Sequence, residues 1–198
     1  MSRLSDREFN AMNNPWRRFL QRWWEFPMLK RFEVPIQDKA VLEVGCGSGY
    51  GAQLLASLHP HSYIGMDFMP EQISLVRERL PQCEFIVQDA ACMEAITTAS
   101  KDTVVIFGVL HHIPEWKMAV REIARVLRPD GEVYLEEPDG GVIAWFERVF
   151  KWGHPVTFRL AELEAHLQAS GFHPKRKTYL FGFGFYRLQR GVASAVMG

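Results

Sequence analysis

Residues 41–51 read Val-Leu-Glu-Val-Gly-Cys-Gly-Ser-Gly-Tyr-Gly. The run 41–44 predicts a strand that is buried on both faces, because such aliphatic runs suit a pleat covered by helices on either side. Four glycines then occupy every second position, where positive φ is allowed and a ligand can approach the backbone. From Tyr50, leucines recur at about one-turn spacing and predict a helix. Strand, glycine turn and helix together are typical of a nucleotide-like ligand held at the carboxyl edge of an open α/β sheet.

The spacing of the glycines distinguishes between cofactors. The NAD fingerprint has glycines at its first, third and sixth positions, but the sixth position counted from Gly45 is Tyr50. The segment instead reads Glu-x-Gly-x-Gly-x-Gly, which resembles motif I of the class I S-adenosylmethionine-dependent methyltransferases. A tight strand-to-helix turn without a ligand is the plain structural alternative.

The totals indicate one domain with a sizeable core. The chain has 198 residues, of which 47% are hydrophobic. Its apolar stretches fall short of the ~20 residues that cross a bilayer, and its start does not resemble a signal peptide. Its three cysteines lack CxxC spacing, which argues against a disulfide framework and against a metal site. These features predict a cytoplasmic protein.

Charge bears on the expected partners. The net charge of zero argues against a nucleic-acid partner. Residues 1–33, however, carry seven Arg/Lys against four Asp/Glu. Within them, residues 14–33 predict an amphipathic helix whose aromatic face is flanked by arginines. Four interpretations stay open: a helix packed on the domain, a lid over a substrate pocket, a peripheral membrane contact, or a subunit contact. The oligomeric state is not readable from the sequence.

Two further predicted strands also end in acids. Ser62–Asp67 reads as the second strand, and a carboxylate at its end is placed to accept hydrogen bonds from ribose hydroxyls. The alternative for Asp67 is a cap for the helix predicted over Pro70–Leu80. Cys83–Gln88 reads as the third strand and is followed by Asp89-Ala90. The resemblance implies that Asp89 accepts from the adenine amino group while the next backbone amide donates to the ring.

The fourth strand and its exit loop cover residues 102–114 and include Val-Leu-His-His at 109–112. This ending resembles motif IV of the same family, which implies that Phe107 and Gly108 lie beside the methionyl end of the cofactor. Adjacent histidines cannot both face one way, so at most one should reach the reaction centre. A neutral imidazole can accept a proton near pH 7. His112 is therefore the first candidate for a general base, and it is followed by His111, Glu137 and His154.

The remaining elements complete the predicted fold. A helix over 115–128 ends at Leu-Arg-Pro-Asp-Gly, and a fifth strand spans 132–136. An aromatic stretch over 141–158 follows, read either as a substrate-pocket insertion or as plain packing. Thr157 should cap a helix over 158–169, and strands over 172–182 and 183–190 should meet at Gly182-Phe183-Gly184. The prediction is an α/β, Rossmann-like, doubly wound, mostly parallel seven-stranded sheet with an antiparallel C-terminal strand. We expect an N-terminal helical arm or lid (1–33), a methyltransferase domain (34–190) and a frayed tail (191–198).

The resemblance implies in-line methyl transfer from S-adenosylmethionine, with S-adenosylhomocysteine as product, to a small and apolar or aromatic acceptor. A quinone precursor, a phenolic metabolite, an amphiphilic acid and a phospholipid headgroup stay open as acceptors. The alternatives are a non-catalytic module that binds either form of the cofactor, a membrane-associated lipid or quinone methyltransferase, and a nicotinamide-dependent oxidoreductase. The implied cofactor-binding residues are Glu43, Gly45, Cys46, Gly47, Gly49, Asp67, Phe68, Asp89, Ala90, Phe107 and Gly108. The expected substrate-binding residues are Trp16, Phe19, Trp23 and His154.

Overall fold

The computed structural model describes residues 23, 26–150 and 158–191, apart from the side chains of residues 146, 147, 149 and 150. The predictions for Trp16, Phe19, His154, Thr157 and the tail lie outside the described residues. The described helices are α1 Phe26–Arg31, α2 Tyr50–Ala56, α3 Pro70–Arg79, α4 Trp116–Val126, α5 Gly140–Phe150 and α6 Leu160–Ala169. The strands are β1 Ala40–Val44, β2 Ser62–Asp67, β3 Glu84–Val87, β4 Lys101–Phe107, β5 Leu127–Pro138, β6 Phe172–Leu180 and β7 Phe183–Arg190.

The strands form one seven-stranded sheet in the order β3-β2-β1-β4-β5-β7-β6. β7 runs antiparallel to both of its neighbours, and the other pairs are parallel. The predicted fold class is therefore confirmed. The chain leaves β1 towards β2 on one side and reaches β4 on the other, so the strand order reverses between β1 and β4. Such a switch point opens a crevice at the carboxyl ends of the strands.

Both faces of the sheet are covered, as the mostly aliphatic sequence of β1 predicts. Leu42 and Val44 belong to a core that contains the apolar faces of α4 and α6. Val41 belongs to the opposite core, which contains residues of α1, α2 and α3. All five residues of β1 are consequently buried. Within the described part of the chain, no helix combines the length and the apolar character needed to cross a lipid bilayer.

The segment after α4 differs from its prediction. The helix ends at Val126, and Leu127–Gly131, expected as a turn, lie inside β5. Leu127 pairs with Lys101 and Glu132 pairs with Thr103. Between these two pairs the chain advances by five residues in β5 but by two in β4, which makes a bulge in β5. Asp130 lies within this bulge and has a positive φ of 62°. Proline ends the helix as expected, but pairing with β4 continues on either side of the bulge.

Two boundaries in the C-terminal half also differ from the prediction. Helix α6 begins at Leu160 rather than at residue 158, because the Asp139 carboxylate accepts a hydrogen bond from the Leu160 amide (3.0 Å). The β6–β7 hairpin turns at Phe181-Gly182, one position before the predicted turn. Phe181 and Gly182 have φ values of 49° and 78°. Two positive φ values in a two-residue loop identify a type I′ turn.

A buried ion cluster ties the end of the sheet to the segment after α1. Glu132, 6% exposed, accepts hydrogen bonds from Arg187 Nε (2.5 Å) and Lys175 Nζ (2.7 Å). Arg187 Nη1 also donates to the Phe32 carbonyl (2.9 Å). Burial alone would raise the pKa of Glu132, but the hydrogen bonds from Arg187 and Lys175 hold that pKa below its ordinary value.

Arg187→Leu is expected to lower the free energy of unfolding by about 3 kcal/mol, because it leaves the Glu132 carboxylate buried without its main partner. A carboxyl whose folded-state pKa is lowered stabilises the fold above its unfolded pKa of about 4.3. That stabilisation is lost as pH falls through the lower folded-state pKa. Urea unfolding at about pH 7 and about pH 3 should therefore show a large difference between parent and variant only near neutrality. Glu162→Gln, which breaks the exposed pair with Lys117, serves as control and should cost less than about 1 kcal/mol. A difference in unfolding free energy between parent and Arg187→Leu that is the same at both pH values would contradict this account.

Candidate functional site

The glycine turn after β1 forms the floor of the crevice. Gly45, Gly47 and Gly49 have φ values of 75°, 49° and 86°, a region that side chains other than glycine rarely adopt. The amides of Gly45 and Cys46 both donate to the Met66 carbonyl (2.8 and 2.9 Å). The turn is thereby fastened to β2, and its shape does not depend on a ligand.

The glycines of this turn serve different purposes. A Cβ on Gly45 would lie 2.5 Å from Val109 Cγ2, and a Cβ on Gly49 would collide with the Val76 side chain. These two glycines allow close packing of neighbouring segments. A Cβ on Gly47, in contrast, would meet no heavy atom within 4 Å. The backbone at Gly47 faces open space, and this is the feature that a closely approaching cofactor requires.

Asp67, predicted as the ribose ligand, bridges β2 and the glycine turn. Its Oδ2 accepts from the Gly47 amide (3.0 Å), and its Oδ1 accepts from the Met69 amide at the start of α3 (2.9 Å). Asp67 holds a local turn and does not cap α3, whose N-cap is Met69 and has no side-chain cap hydrogen bond. It also borders the open space at Gly47, and its role as ribose ligand stays a prediction. Each carboxylate oxygen can accept more than one hydrogen bond. Burial raises the pKa of Asp67, and the backbone donors oppose that rise only in part.

Glu43, another predicted cofactor ligand, is 2% exposed and lies beneath the first turn of α2. Its carboxylate accepts a hydrogen bond from the Tyr63 hydroxyl. A Cβ on Gly51 would collide with Glu43 Oε1, so the fourth glycine of the motif makes room for this carboxylate. Burial and the neighbouring Glu43 raise the pKa of the Tyr63 phenol. Tyr63 was not predicted, since nothing in its local sequence indicates a partner 20 residues away.

The other predicted cofactor residues lie around the same edge of the sheet. Cys46 is buried, and burial raises the pKa of its thiol. Asp89 Oδ1 accepts from the Ala91 amide (2.8 Å), which holds the loop after β3 in place. The Phe107 ring, 5% exposed, packs edge-to-face on Tyr134 at 6.0 Å between centroids. The remaining members are a half-buried Phe68, a buried Ala90 and a half-buried Gly108 with a φ of 62°.

A buried carboxylate organises the exit of β4. Glu137, at the end of β5, has a fully buried side chain. Its Oε1 accepts from the amides of Val109 (2.9 Å) and Leu110 (2.7 Å). Its Oε2 accepts from the His111 amide (3.4 Å) and pairs with His111 Nδ1 (2.8 Å). One carboxylate therefore fixes both the backbone of the short 3₁₀ turn Leu110–His112 and the orientation of one imidazole.

The pairing with Glu137 sets the hydrogen-bonding role of each ring nitrogen of His111. A neutral imidazole donates to a carboxylate through one nitrogen and leaves the other as an acceptor. In a neutral His111 paired in this way, Nδ1 would carry the proton and Nε2 the lone pair. Cε1, which is bonded to Nε2, lies 3.9 Å from the point that a Cβ on Gly108 would occupy. The ring of His112 packs against that of His111 at a tilt of 41°, with centroids 3.9 Å apart. The two imidazoles therefore lie side by side, and the expectation that adjacent histidines cannot face the same way is wrong.

The structure thus brings most of the predicted residues to one edge of the sheet, although not all in the predicted manner. Glu43 and Phe107 lie within the packing on one face of the sheet, whereas Gly47, Asp67 and Gly108 border open or partly open space. Of the predicted substrate residues, only Trp23 is among those the structure describes, and its side chain is 65% exposed. Among the described residues, no group of three His, Cys, Asp or Glu side chains could hold a metal ion.

Comparison with known proteins adds independent information. Residues 42–135 match the family model described as "Methyltransferase domain". A phthiotriol/phenolphthiotriol dimycocerosates methyltransferase of Mycobacterium leprae is 38% identical over 118 residues, which are 57% of this chain and 43% of that protein. A protein of Mycolicibacterium smegmatis named as a probable S-adenosylmethionine-dependent methyltransferase is 37% identical over 151 residues, or 72% of this chain and 58% of that protein. The chain therefore spans about half the length of the curated relatives it matches.

Solved structures agree on the fold. A crystal structure of a methyltransferase from Aquifex aeolicus, described as dependent on S-adenosylmethionine, superposes with a TM-score of 0.76 at 16% identity. The match covers 95% of this chain and 100% of that one. These structures confirm the fold class expected from the sequence. The matching family model and the relatives agree with the family and the cofactor that the resemblance implies.

Proposed function

We propose that the chain is a class I S-adenosylmethionine-dependent methyltransferase that transfers a methyl group to a small, apolar or aromatic acceptor. The observation that carries the proposal is the arrangement at the carboxyl edge. Open space at Gly47 is bordered by Asp67. The oriented pair of His111 and Glu137 lies at the exits of the neighbouring strands β4 and β5.

The residues present fit the cofactor. The backbone at Gly45–Gly47 would hold its methionyl end, Asp67 its ribose, and Asp89 with the Ala90 amide its adenine. When bound, the cofactor supplies an electrophilic methyl group on a sulfonium. The protein's own contribution is alignment, since holding two reactants in an attack geometry can supply about 7–11 kcal/mol of a barrier. The fixed glycine turn and the fixed 3₁₀ turn are suited to that task.

We place the general base at His111, ahead of His112, which the sequence alone favoured. His111 Nε2 accepts the proton that a hydroxyl, thiol or amine of the acceptor gives up. The Glu137 carboxylate then faces the resulting positive charge through Nδ1–H. Glu137 acts as a positioning residue, and His111 as the group that receives the proton. Proton transfer to a positioned side chain typically contributes 10²–10⁴-fold to a rate.

The class of the acceptor rests on two supports. The stretch 142–158 is rich in aromatic residues, which favours an apolar acceptor, and Trp16, Phe19, Trp23 and His154 stay proposed contacts. The relative from Mycobacterium leprae is named for phthiotriol and phenolphthiotriol dimycocerosates. That name supports an acceptor of the same broad kind for this chain.

Calorimetric titration provides the first test. S-Adenosylhomocysteine should bind, and NAD, which serves as the control ligand, should not. Methyl transfer from labelled S-adenosylmethionine into a cell extract should then yield a labelled small molecule that mass spectrometry can identify. Binding of S-adenosylhomocysteine without any labelled product would contradict the enzymatic proposal and favour a non-catalytic binding module.

Asp67 should give cofactor binding a distinctive pH dependence. Burial raises its pKa above the ordinary 3.8, so on acidification its carboxylate takes up a proton at a higher pH than an exposed aspartate would. The affinity for S-adenosylhomocysteine should fall over that same range, because a protonated carboxyl accepts hydrogen bonds less well. Calorimetry over a pH series checks this, with circular dichroism showing that the fold persists. Asp67→Asn should bind more weakly at neutral pH and lose this pH dependence, and an unchanged profile would exclude Asp67 as a ligand.

A further inference from the structure

The tip of the β6–β7 hairpin exposes large apolar side chains at the carboxyl edge of the sheet. Tyr179, Leu180 and Phe181 are 51%, 38% and 80% exposed, and Trp145 on α5 is 58% exposed. We refer to these four residues as the hairpin-tip patch. Leu180 pairs with Phe183, which in turn pairs with Pro138 at the end of β5. The patch therefore adjoins the strand end that carries Glu137.

The residue at the centre of the patch is not explained by the turn that contains it. Phe181 is the first of the two central residues of a type I′ turn. Asparagine, aspartate and glycine are favoured there because φ is positive. Its side chain also lies in solvent instead of in either core. Phenylalanine at this position thus departs from both the local backbone preference and the burial rule, and such departures concentrate at functional sites.

The two elements of the patch are joined to each other. The Asp139 amide donates to the Gly182 carbonyl (2.8 Å), and a Cβ on Gly182 would collide with Val142 of α5. Val142 and Trp145 are three residues apart on one helix and so share a face. The hairpin tip and α5 therefore present their aromatic side chains from one continuous surface.

Cationic side chains border this surface. Arg148 follows Trp145 by three residues on α5 and is exposed. The Arg159 side chain is 69% exposed and pairs with Asp139 Oδ1 (3.1 Å). Lys177, at the far side of the hairpin, is paired with Glu164. Because Arg159 and Lys177 are paired with carboxylates, Arg148 supplies the net positive charge beside the aromatic side chains. An aromatic surface with an adjacent cation suits the interfacial region of an anionic bilayer.

We propose that the hairpin-tip patch docks the protein on an anionic lipid bilayer, from which the acceptor enters the site. This inference rests on the proposed function, because an apolar acceptor dissolves in a membrane. A protruding hairpin tip suits shallow insertion among lipid headgroups better than it suits the wide complementary contact of a stable protein interface. Glu137 pairs with Gly184, only three residues from Phe181. The patch therefore lies near the strand end that holds His111 through Glu137.

The test is vesicle flotation of the full chain. Vesicles of phosphatidylcholine with about one third phosphatidylglycerol should bind the protein, and neutral vesicles should bind it at least about fivefold less. Phe181→Asn is the informative variant, because asparagine suits the positive φ and removes only the aromatic group. Binding to the anionic vesicles should fall by about fivefold or more in this variant, and likewise in Trp145→Gln. Met118→Gln, at an exposed apolar position on α4, is the matched control and should bind as the parent does.

The outcomes separate this inference from the proposed function. The affinity for S-adenosylhomocysteine should be the same in Phe181→Asn as in the parent. A parent that does not bind S-adenosylhomocysteine would contradict the proposed function but would not contradict the proposed membrane contact. Absence of vesicle binding by a parent that binds S-adenosylhomocysteine would overturn the docking proposal alone. Undiminished vesicle binding by Phe181→Asn and Trp145→Gln would overturn it too, placing the lipid contact elsewhere. A dimeric parent that becomes monomeric in Phe181→Asn would identify the patch as a subunit interface and would likewise overturn it.

Discussion

His111→Gln is expected to lower kcat for methyl transfer by about 10²- to 10⁴-fold, the range that a positioned general base contributes. The affinity for S-adenosylhomocysteine should stay unchanged, because the imidazole is assigned to the acceptor proton and not to the cofactor. The measurement is turnover with the acceptor identified from the extract, together with calorimetry. His112→Gln is the matched control, because the His112 ring packs against His111 but is not assigned the role of general base. It should lose far less activity.

Glu137→Gln tests whether Glu137 positions the His111 imidazole. An amide keeps the size of the side chain, but its NH₂ group would face N–H donors that the carboxylate oxygens now satisfy. A loss of about 1–3 kcal/mol in the free energy of unfolding is expected, because a buried donor is left without an acceptor. The kcat should fall with it, while the affinity for S-adenosylhomocysteine changes little at temperatures where the variant is folded. Should His112→Gln prove the more damaging of the two histidine variants, the base would be His112, and Glu137 would only support the loop.

The second large effect is expected from a pair of glycine substitutions. Gly47→Ala should leave the fold nearly intact, at a cost of about 1–2 kcal/mol for an alanine in the left-handed region. Its methyl group would project into the open space above the turn. Affinity for S-adenosylhomocysteine should then fall about 5- to 150-fold, which corresponds to an overpacking cost of about 1–3 kcal/mol. Chemical unfolding and calorimetry on the same preparation measure both quantities.

Gly49→Ala should behave in the opposite manner. Its Cβ would collide with Val76, and its φ is 86°, so overpacking and backbone strain add to a loss of about 3 kcal/mol or more in stability. Val76→Ala, introduced into Gly49→Ala, should recover part of that loss by removing the colliding methyl groups. Equal effects of Gly47→Ala and Gly49→Ala on binding and on stability would show that the whole turn is structural and that no ligand approaches Gly47.

Local sequence was sufficient for most of the architecture. The buried run of β1, the glycine turn and the apolar spacing of α4 predicted the order of the elements, because strand and helix periods are properties of neighbouring residues. Boundaries were less well predicted where a distant group decided them. Helix α6 begins at Leu160 because Asp139, 21 residues earlier, accepts from its amide. Similarly, pairing with β4 drew Leu127–Gly131 into β5, although their residue types predicted a turn.

The candidate site divides in the same way. The glycine turn and the acid at the end of β2 carried the resemblance that implied the cofactor class, because those residues lie in contiguous segments beside the sheet edge. The choice between His111 and His112 depended on Glu137, which lies 26 residues away in sequence and 2.8 Å away in space. The purpose of the fourth glycine likewise became clear only from the collision that a Cβ on Gly51 would make with Glu43.

By itself, the sequence therefore determined the fold class and the edge of the sheet where a ligand would lie, because strand and helix periods are encoded in contiguous runs of residues. The cofactor followed from a family resemblance that one such run carries. Only the tertiary structure decided which imidazole is oriented, which glycine faces open space and which aromatic side chains reach the surface at the hairpin tip. These properties arise between segments far apart in the chain, and they depend on the distances and burial that folding creates.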